Sequence, residues 1–248
     1  MKKVTVVILT KNDEANILDC LESVKDFDEI LVVDDKSADR TLEIVKKVSP
    51  NIKIFQHDLD GDFASHRNFA LKKVTNDWIL VVDSDERVSK ELLEEIKSAS
   101  ENNDGYLIKR KDVLWGKKLS FGETANIKLL RLGKKGSGEW VGKVHEKWRI
   151  NGRVIELKNS LIHYPHQSVK EFLKEIDFYS TLRARELFEK KEKVSWWHIL
   201  IYPKAKFFVN YFLKLGLLDG VPGFITAAMM SLHSFLVRSK LWLLYKNE

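Results

Sequence analysis

From residue 4 to about residue 100, short continuous apolar runs alternate with stretches whose apolar positions recur every three or four residues. The pattern predicts strands over 4–9, 29–33, 52–55 and 78–82. It predicts helices over 15–25, 40–48, 64–74 and 90–99, the last behind Ser89 as N-cap. Regular alternation of this kind specifies an α/β unit with a doubly wound, mostly parallel, Rossmann-like sheet and helices on both faces. Weaker strand patterns over 106–109, 128–132, 154–157 and 160–163 follow without strong helices between them, so this part reads as a mixed sheet with long loops.

The periodicity changes again at Ser168-Val169-Lys170-Glu171, which has the order of a capping box and opens a charged helix to about residue 193. Beyond Ser195 come two apolar stretches, 196–218 and 221–245, split by Asp219-Gly220 and Pro222-Gly223. Pro203 and three lysines interrupt the first. The uncharged part of the second, 220–237, is marginal for the ~20 residues of a spanning helix. Surface-lying amphipathic helices fit better than a transmembrane pair. The expected organisation is one domain over 1–166, with halves at 1–100 and 101–166, and a C-terminal helical extension over 167–248.

At 248 residues and 44% hydrophobic, the chain can bury one large core with a smaller unit appended. The single Cys20 lies within a helical pattern, which leaves neither a disulfide framework nor a thiolate metal site and favours a reducing, cytoplasmic location. The apolar run behind Lys2 and Lys3 is short and lacks a small-residue cleavage site. It reads as a first buried strand, not a signal peptide. The net charge of +6 is uneven: Lys204, Lys206, Lys214, Arg238, Lys240 and Lys246 face only Asp219 and Glu248 after residue 195. This basic tail is rich in Trp, Phe, Leu and Ile and carries no recognised nucleic-acid module. An anionic membrane surface is the favoured partner, ahead of plain helical packing or a homo-oligomer contact, with nucleic acid last.

Two strand patterns stop abruptly at paired acids, Val32-Val33-Asp34-Asp35 and Val81-Val82-Asp83-Ser84-Asp85-Glu86. The carboxyl ends of strands are where an open α/β sheet presents ligands. On extended backbone, residues i and i+2 point the same way, so Asp83 and Asp85 can converge on one Mg²⁺ or Mn²⁺ whose other positions take diphosphate oxygens and water. A solvated strand terminus helped by the following helix dipole is the plain alternative. Ser37 or Asp39 can cap the helix near Arg40, yet a cap does not explain Asp34 and Asp35, which can accept from a base or ribose. Thr10-Lys11-Asn12-Asp13-Glu14 ends the first strand similarly. Ser65-His66-Arg67-Asn68 opens the third helix, where an Arg can pair with a phosphate.

Val7-Ile8-Leu9-Thr10-Lys11-Asn12, Val32 through Thr41, His66-Arg67-Asn68-Phe69-Ala70-Leu71 and Trp78 through Glu86 resemble, in order and spacing, the motifs of family 2 inverting glycosyltransferases of GT-A fold. Thr10-Lys11-Asn12 and the Asp83-Ser84-Asp85-Glu86 run are most similar to the bacterial branch containing lipopolysaccharide-core glucosyltransferases. Glu139 through Glu146 and Gly216 through Phe224 also look like that branch. The resemblance implies a nucleotide-sugar donor, UDP-linked by expectation, with Thr10, Asn12, Glu14, Asp35, Asp83 and Ser84 at the donor and Arg67 near the diphosphate. It also implies that Asp83 and Asp85 serve the metal and donor ribose, and that the acceptor is a cell-envelope glycan or lipid-linked molecule at the inner face of the membrane. Lys36 stands where the second motif commonly has glycine, and Lys11 where many relatives carry a stacking tyrosine. No Gln-x-x-Arg-Trp motif follows, which speaks against a processive synthase.

Inverting transfer needs a base on the acceptor side, and Glu146, after His145, is the candidate; a surface Glu paired with Lys143 or Lys147 is the alternative. His163, at the end of a strand, is a candidate third metal ligand or a structural histidine. His145-Glu146 is not H-E-x-x-H, Gly133 through Gly138 lacks the P-loop order, and His163 with His166 offers too few donors for zinc. The D-x-D phosphatases place their acids on a first strand, with Thr or Val where this chain has Arg87. The remaining competitor is a non-catalytic nucleotide- or glycan-binding scaffold of the same fold.

Overall fold

The computed structural model describes residues 2–142 and 146–247, and the chain divides into two compact units, residues 1–110 with 127–163 and residues 111–126 with 164–248. Segment 111–126 clusters with the C-terminal helices, a division that a linear boundary at residue 166 does not contain.

The first unit begins β1 (Val4–Thr10), α1 (Ile17–Val24), β2 (Glu29–Asp34), α2 (Thr41–Val48), β3 (Lys53–Gln56), α3 (Phe63–Leu71) and β4 (Trp78–Asp83). It continues with β5 (Glu86–Val88), α4 (Lys90–Ser98) and β6 (Gly105–Leu114), whose residues from Lys111 on belong to the second unit's segment and pair there with the short β7 (Lys117–Lys118). After that segment come β8 (Lys128–Lys134), β9 (Gly138–Val141), β10 (Lys147–Ile150) and β11 (Val154–His163). The main sheet has the order β3-β2-β1-β4-β8-β6-β11-β5. Its first four strands are parallel, and the β4–β8, β8–β6 and β11–β5 pairings are antiparallel.

Alternation along the strands explains the two faces. Val4, Val6 and Ile8 of β1 join Trp78, Leu80 and Val82 of β4 in a core with α1, α2 and α4, whereas Val7, Ile79 and Val81 pack with α3 and the β9–β10 hairpin. Each such side chain contributes about 1.5–3 kcal/mol by leaving water, and a one-residue slip would turn the whole set outward. The register sets Thr10 beside Asp34 and Leu9 beside Asp83. The carboxyl ends of β1, β2 and β4 therefore lie side by side where the chain reverses direction across the sheet, the crevice position of α/β folds.

Several elements differ from expectation. The short β5 pairs antiparallel with β11, setting His163 opposite Glu86, and three residues are too few to show a period. The separate strands expected over 154–157 and 160–163 are one strand, and 106–109 extends to ten residues. The glycine-rich run after β8 is a turn into the β9–β10 hairpin, where Trp140 stacks on Trp148 with ring centroids 5.4 Å apart. Helix α1 starts two residues late because Asp13 and Asn16 close a turn first, the Asn16 N–H donating to the Asp13 carbonyl at 3.1 Å.

In the second unit, α5 (Val169–Glu189) opens on the expected capping box of Ser168 and Glu171. Helix α6 (Trp196–Phe208) continues through Pro203 into a π-helical turn (Val209–Leu213) and a 3₁₀ turn (Gly216–Asp219), and α7 (Gly220–Lys246) follows. Phe172, Ile176 and Met229 form its apolar centre. Asp219 accepts from the Ser120 and Phe121 N–H groups, and Glu123 accepts from Lys206 and Asn210, which ties segment 111–126 to these helices. Among the described residues, Gly216–Lys246 is long and apolar enough to cross a membrane by length and composition, with 33% of its most apolar window buried.

Candidate active site

The strand ends project three groups of side chains. Loops after β1 and β2 carry the first. Asn12, at φ 49°, donates its N–H to Ser37 Oγ, and its Oδ1 accepts from the Ala38 N–H at 2.7 Å. Glu14 Oε2 accepts from the Arg40 backbone and side chain, both at 3.1 Å. Both residues thus lace one loop to the other. Lys36 occupies the left-handed region at φ 51°, the conformation for which a glycine is usual, and donates to Asp58. Asp35 accepts from Lys11 at 2.6 Å and from the Leu59 N–H at 3.0 Å; burial pushes its carboxyl up, and these two donors more than offset that, leaving it below the usual range. Thr10 is buried beside Asp34, and its hydroxyl has no hydrogen-bond partner among the described residues.

At the centre lies a charge cluster. Asp83, ending β4, accepts from Arg67 Nη2 at 3.0 Å and from Arg131 Nη2 at 2.5 Å. Arg131 also faces Glu86 at 3.3 Å, and Glu86, fully buried, accepts from the Asp83 N–H at 3.0 Å. Arg67 donates its Nε to Glu146 at 2.7 Å and lies 4.7 Å from the Trp140 ring. Arg67 comes from α3 and Glu146 immediately precedes β10; Asn68 ties α3 to β9 of the same hairpin by exchanging hydrogen bonds with the Trp140 N–H and carbonyl at 2.9 and 2.8 Å. Burial works against the ionised Asp83, yet Arg131 and Arg67 hold its carboxyl far below the normal range. Burial pushes Glu86 up, with Arg131 opposing. Arg67 and Arg131 are 6% and 4% exposed, and Arg67 Nη1 and Arg131 Nε and Nη1 have no partner among the described residues.

The third group follows the turn after β4. His163 Nε2 stands 3.2 Å from Asp85 Oδ2, because β11 pairs with β5 at that point. Ser84 donates to Asp13 Oδ2 at 2.5 Å; burial, helped by the nearby Asp85 charge, raises the Asp13 carboxyl despite bonds from Ser84 and Asn16.

No group of three metal-ligating side chains occurs among the described residues. Asp85 and His163 nonetheless fit a shared ion: two neighbouring ligands at ~2.1 Å from an octahedral cation lie roughly 3 Å apart, and bound diphosphate and water can complete such a sphere. Asp83 fits less well than the sequence implies, since both its oxygens already accept from guanidinium groups.

The expected residues therefore assemble, with Asp83, Arg67 and Glu146 in one network and Asp85 with His163 beside it. His145 and Lys143 lie outside the described residues. An open depression of about 610 Å³ beside α3 and β9 is lined by His57, Ser65, Asn68, Lys72 and Trp140, but by none of Asp83, Asp85 and Glu146. Sequence reasoning missed Arg131 and gave Glu86 no role. The signal was a lone charge in the apolar run Leu129-Leu130-Arg131-Leu132.

Residues 5–147 match glycosyl transferase family 2. The chain belongs to that family. This transferase is 30% identical to the lipopolysaccharide core biosynthesis glycosyltransferase LpsC of Rhizobium meliloti, with 95% of this chain and 90% of that protein aligned. It is also 30% identical to an uncharacterized glycosyltransferase of Rickettsia typhi, over 97% and 87% of the two chains. Two solved structures share the fold. Mannosyltransferase PcManGT from Pyrobaculum calidifontis, in complex with GDP-Man and Mn²⁺, superposes with a TM-score of 0.59 at 14% identity, covering 99% of this chain and 88% of that one. S. aureus TarS 1-349 in complex with UDP-GlcNAc gives 0.51 at 18%, covering 99% and 92%. The transferase is thus a GT-A type α/β enzyme, as its strand order and motifs imply.

Proposed function

We propose that this glycosyltransferase moves a single sugar from a nucleotide donor, UDP-linked by preference, to a hydroxyl of a cell-envelope glycan or lipid-linked acceptor, with inversion. The observation that carries the reading is the cluster in which Arg67 links Asp83 to Glu146, next to the Asp85–His163 pair, at the carboxyl ends of the parallel strands. Similarity to a lipopolysaccharide core glycosyltransferase along nearly the whole chain supports the acceptor class.

In this reading Asp35 and the β1 and β2 loops, with Thr10, Asn12 and Glu14, frame the nucleoside. Asp85 and His163 hold a Mg²⁺ or Mn²⁺, which when bound offsets charge on the departing diphosphate. Arg67 Nη1, buried and without a partner among the described residues, adds a donor for the same phosphates. Glu146 takes the proton of the acceptor hydroxyl as that oxygen attacks the anomeric carbon from the side opposite the nucleotide, and Arg67 Nε fixes its orientation. Asp83 serves mainly to anchor the two arginines. The enzyme works at the cytoplasmic face of the membrane.

The test is a thermal-shift screen of UDP- and GDP-sugars with and without Mn²⁺. A nucleotide sugar at 100 times its Kd adds roughly 2.7 kcal/mol to stability. Stabilisation that needs the metal supports the reading, and no stabilisation by any nucleotide sugar contradicts it.

A further inference from the structure

The second unit exposes an apolar surface that its own packing does not use. Across 194–224 the exposed side chains include Trp196 (70%), Trp197, Leu200, Ile201 and Phe208 on α6, then Leu213 (66%), and Val221 (71%) at the start of α7. The turns between the two helices hold the most unusual part. Water-facing turns are built from Gly, Asn, Asp and Ser, yet here Leu213, Leu215, Leu217 and Leu218 are exposed. Leu215 even occupies the left-handed region at φ 57°, which favours glycine or asparagine.

The exposed charges in this stretch have one sign. Lys204 and Lys214 are exposed and Lys206 pairs with Glu123, while Asp219 is buried and bonded to the Ser120 and Phe121 N–H groups. No acidic side chain across 194–224 is exposed. Two copies meeting on this face would set lysine against lysine, whereas anionic lipid headgroups satisfy the lysines and the acyl boundary takes the aromatics and leucines. The long apolar α7 is not separate from its neighbours. Lys240 donates to Asp177, Ser180 and Thr181 of α5, Ser231 donates to the Pro203 carbonyl of α6, and Arg238 lies 4.0 Å from the Tyr202 ring. Those polar ties suit helices that lie together at a membrane surface better than one that crosses alone.

We propose that the exposed face of α6 and the leucine-bearing turns before α7 form a docking surface for an anionic lipid bilayer, with Leu213, Leu215 and Leu218 entering the interface and Lys204 and Lys214 meeting headgroups. This goes beyond the transfer chemistry proposed above, which nucleotide release from a soluble donor reports separately.

The test uses the full chain with vesicles of phosphatidylglycerol and phosphatidylcholine, or of phosphatidylcholine alone. Cosedimentation is expected with the anionic vesicles, weaker with neutral ones and weakened by salt. Leu213→Gln combined with Leu218→Gln is expected to lower partitioning on the order of tenfold or more with Tm unchanged. A second readout does not depend on that variant. Because Cys20 is buried, Leu213→Cys can be labelled selectively with an environment-sensitive dye. Its emission is expected to shift blue on vesicle addition, while a label at Lys47→Cys on α2 does not respond. Absence of vesicle binding by the intact protein at low salt, equal binding by the double variant, or concentration-dependent dimerisation without vesicle binding would each overturn the proposal.

Discussion

Replacing Arg131 with Met tests the charge cluster at its least expected member. Arg131 is 4% exposed and pairs with the fully buried Glu86, while it shares Asp83 with Arg67. Removing one partner of a buried ion pair strands the other, at a cost of about 3–5 kcal/mol. For a chain of this size that corresponds to a fall in Tm of roughly 6–20 °C. The pH dependence sharpens the test. Burial already pushes the Glu86 carboxyl up, and Arg131 opposes it more than the nearby His163 does, so in the variant Glu86 moves further up and its ionisation weighs against folding. An acid whose folded pKa lies above its unfolded one costs stability increasingly as pH rises between the two values. The deficit of Arg131→Met is therefore larger at pH 7.5 than at pH 5. Asp83, held low, contributes in the opposite sense: its stabilisation is present above about pH 4 and is lost only as pH falls below that. Urea denaturation of both proteins at the two pH values, followed by circular dichroism, measures the difference. A deficit under about 1 kcal/mol at pH 7.5, or one unchanged at pH 5, would refute the account of this cluster.

Glu146→Gln keeps shape and removes the carboxylate proposed as the base, so kcat is expected to fall by on the order of 10² to 10⁴ with donor affinity nearly intact; near-normal turnover would move the base elsewhere. Glu29, whose burial is outweighed by bonds from Lys53, Thr5 and Thr75, has its carboxyl lowered to about 2. Glu29→Gln is expected to cost on the order of 2 kcal/mol at neutral pH, a difference that shrinks as pH falls from about 4.5 toward 2 and that acid titration of Tm would check.

What the chain revealed before its structure follows from where the information lies. Strands β1, β2 and β4 and helices α1 to α4 span enough residues to show a period, and their apolar positions divide as the two cores require. Strands β5, β9 and β10 have three or four residues each, and pairing partners distant in the chain define them, as His163 opposite Glu86 shows. The same distance hid Arg131, whose acids lie 48 and 45 residues away. The strand-end acids Asp83 and Asp85 pointed to a metal-bound diphosphate by type and spacing, whereas Arg67 entered the expected site through the resemblance to family 2 glycosyltransferases. Residue type alone did not show that Asn12 Oδ1 and Glu14 Oε2 are engaged between loops, since a polar atom's partner depends on which neighbour the fold brings nearest.

The central claim is metal-supported transfer from a nucleotide sugar through Asp85. Release of nucleoside diphosphate from a panel of UDP- and GDP-hexoses, with Mn²⁺ and with chelator, measures it directly for the intact protein and for Asp85→Asn. The account predicts release that requires the metal and is lost in Asp85→Asn while the fold survives. Equal release in chelator, or an unimpaired Asp85→Asn variant, would contradict it.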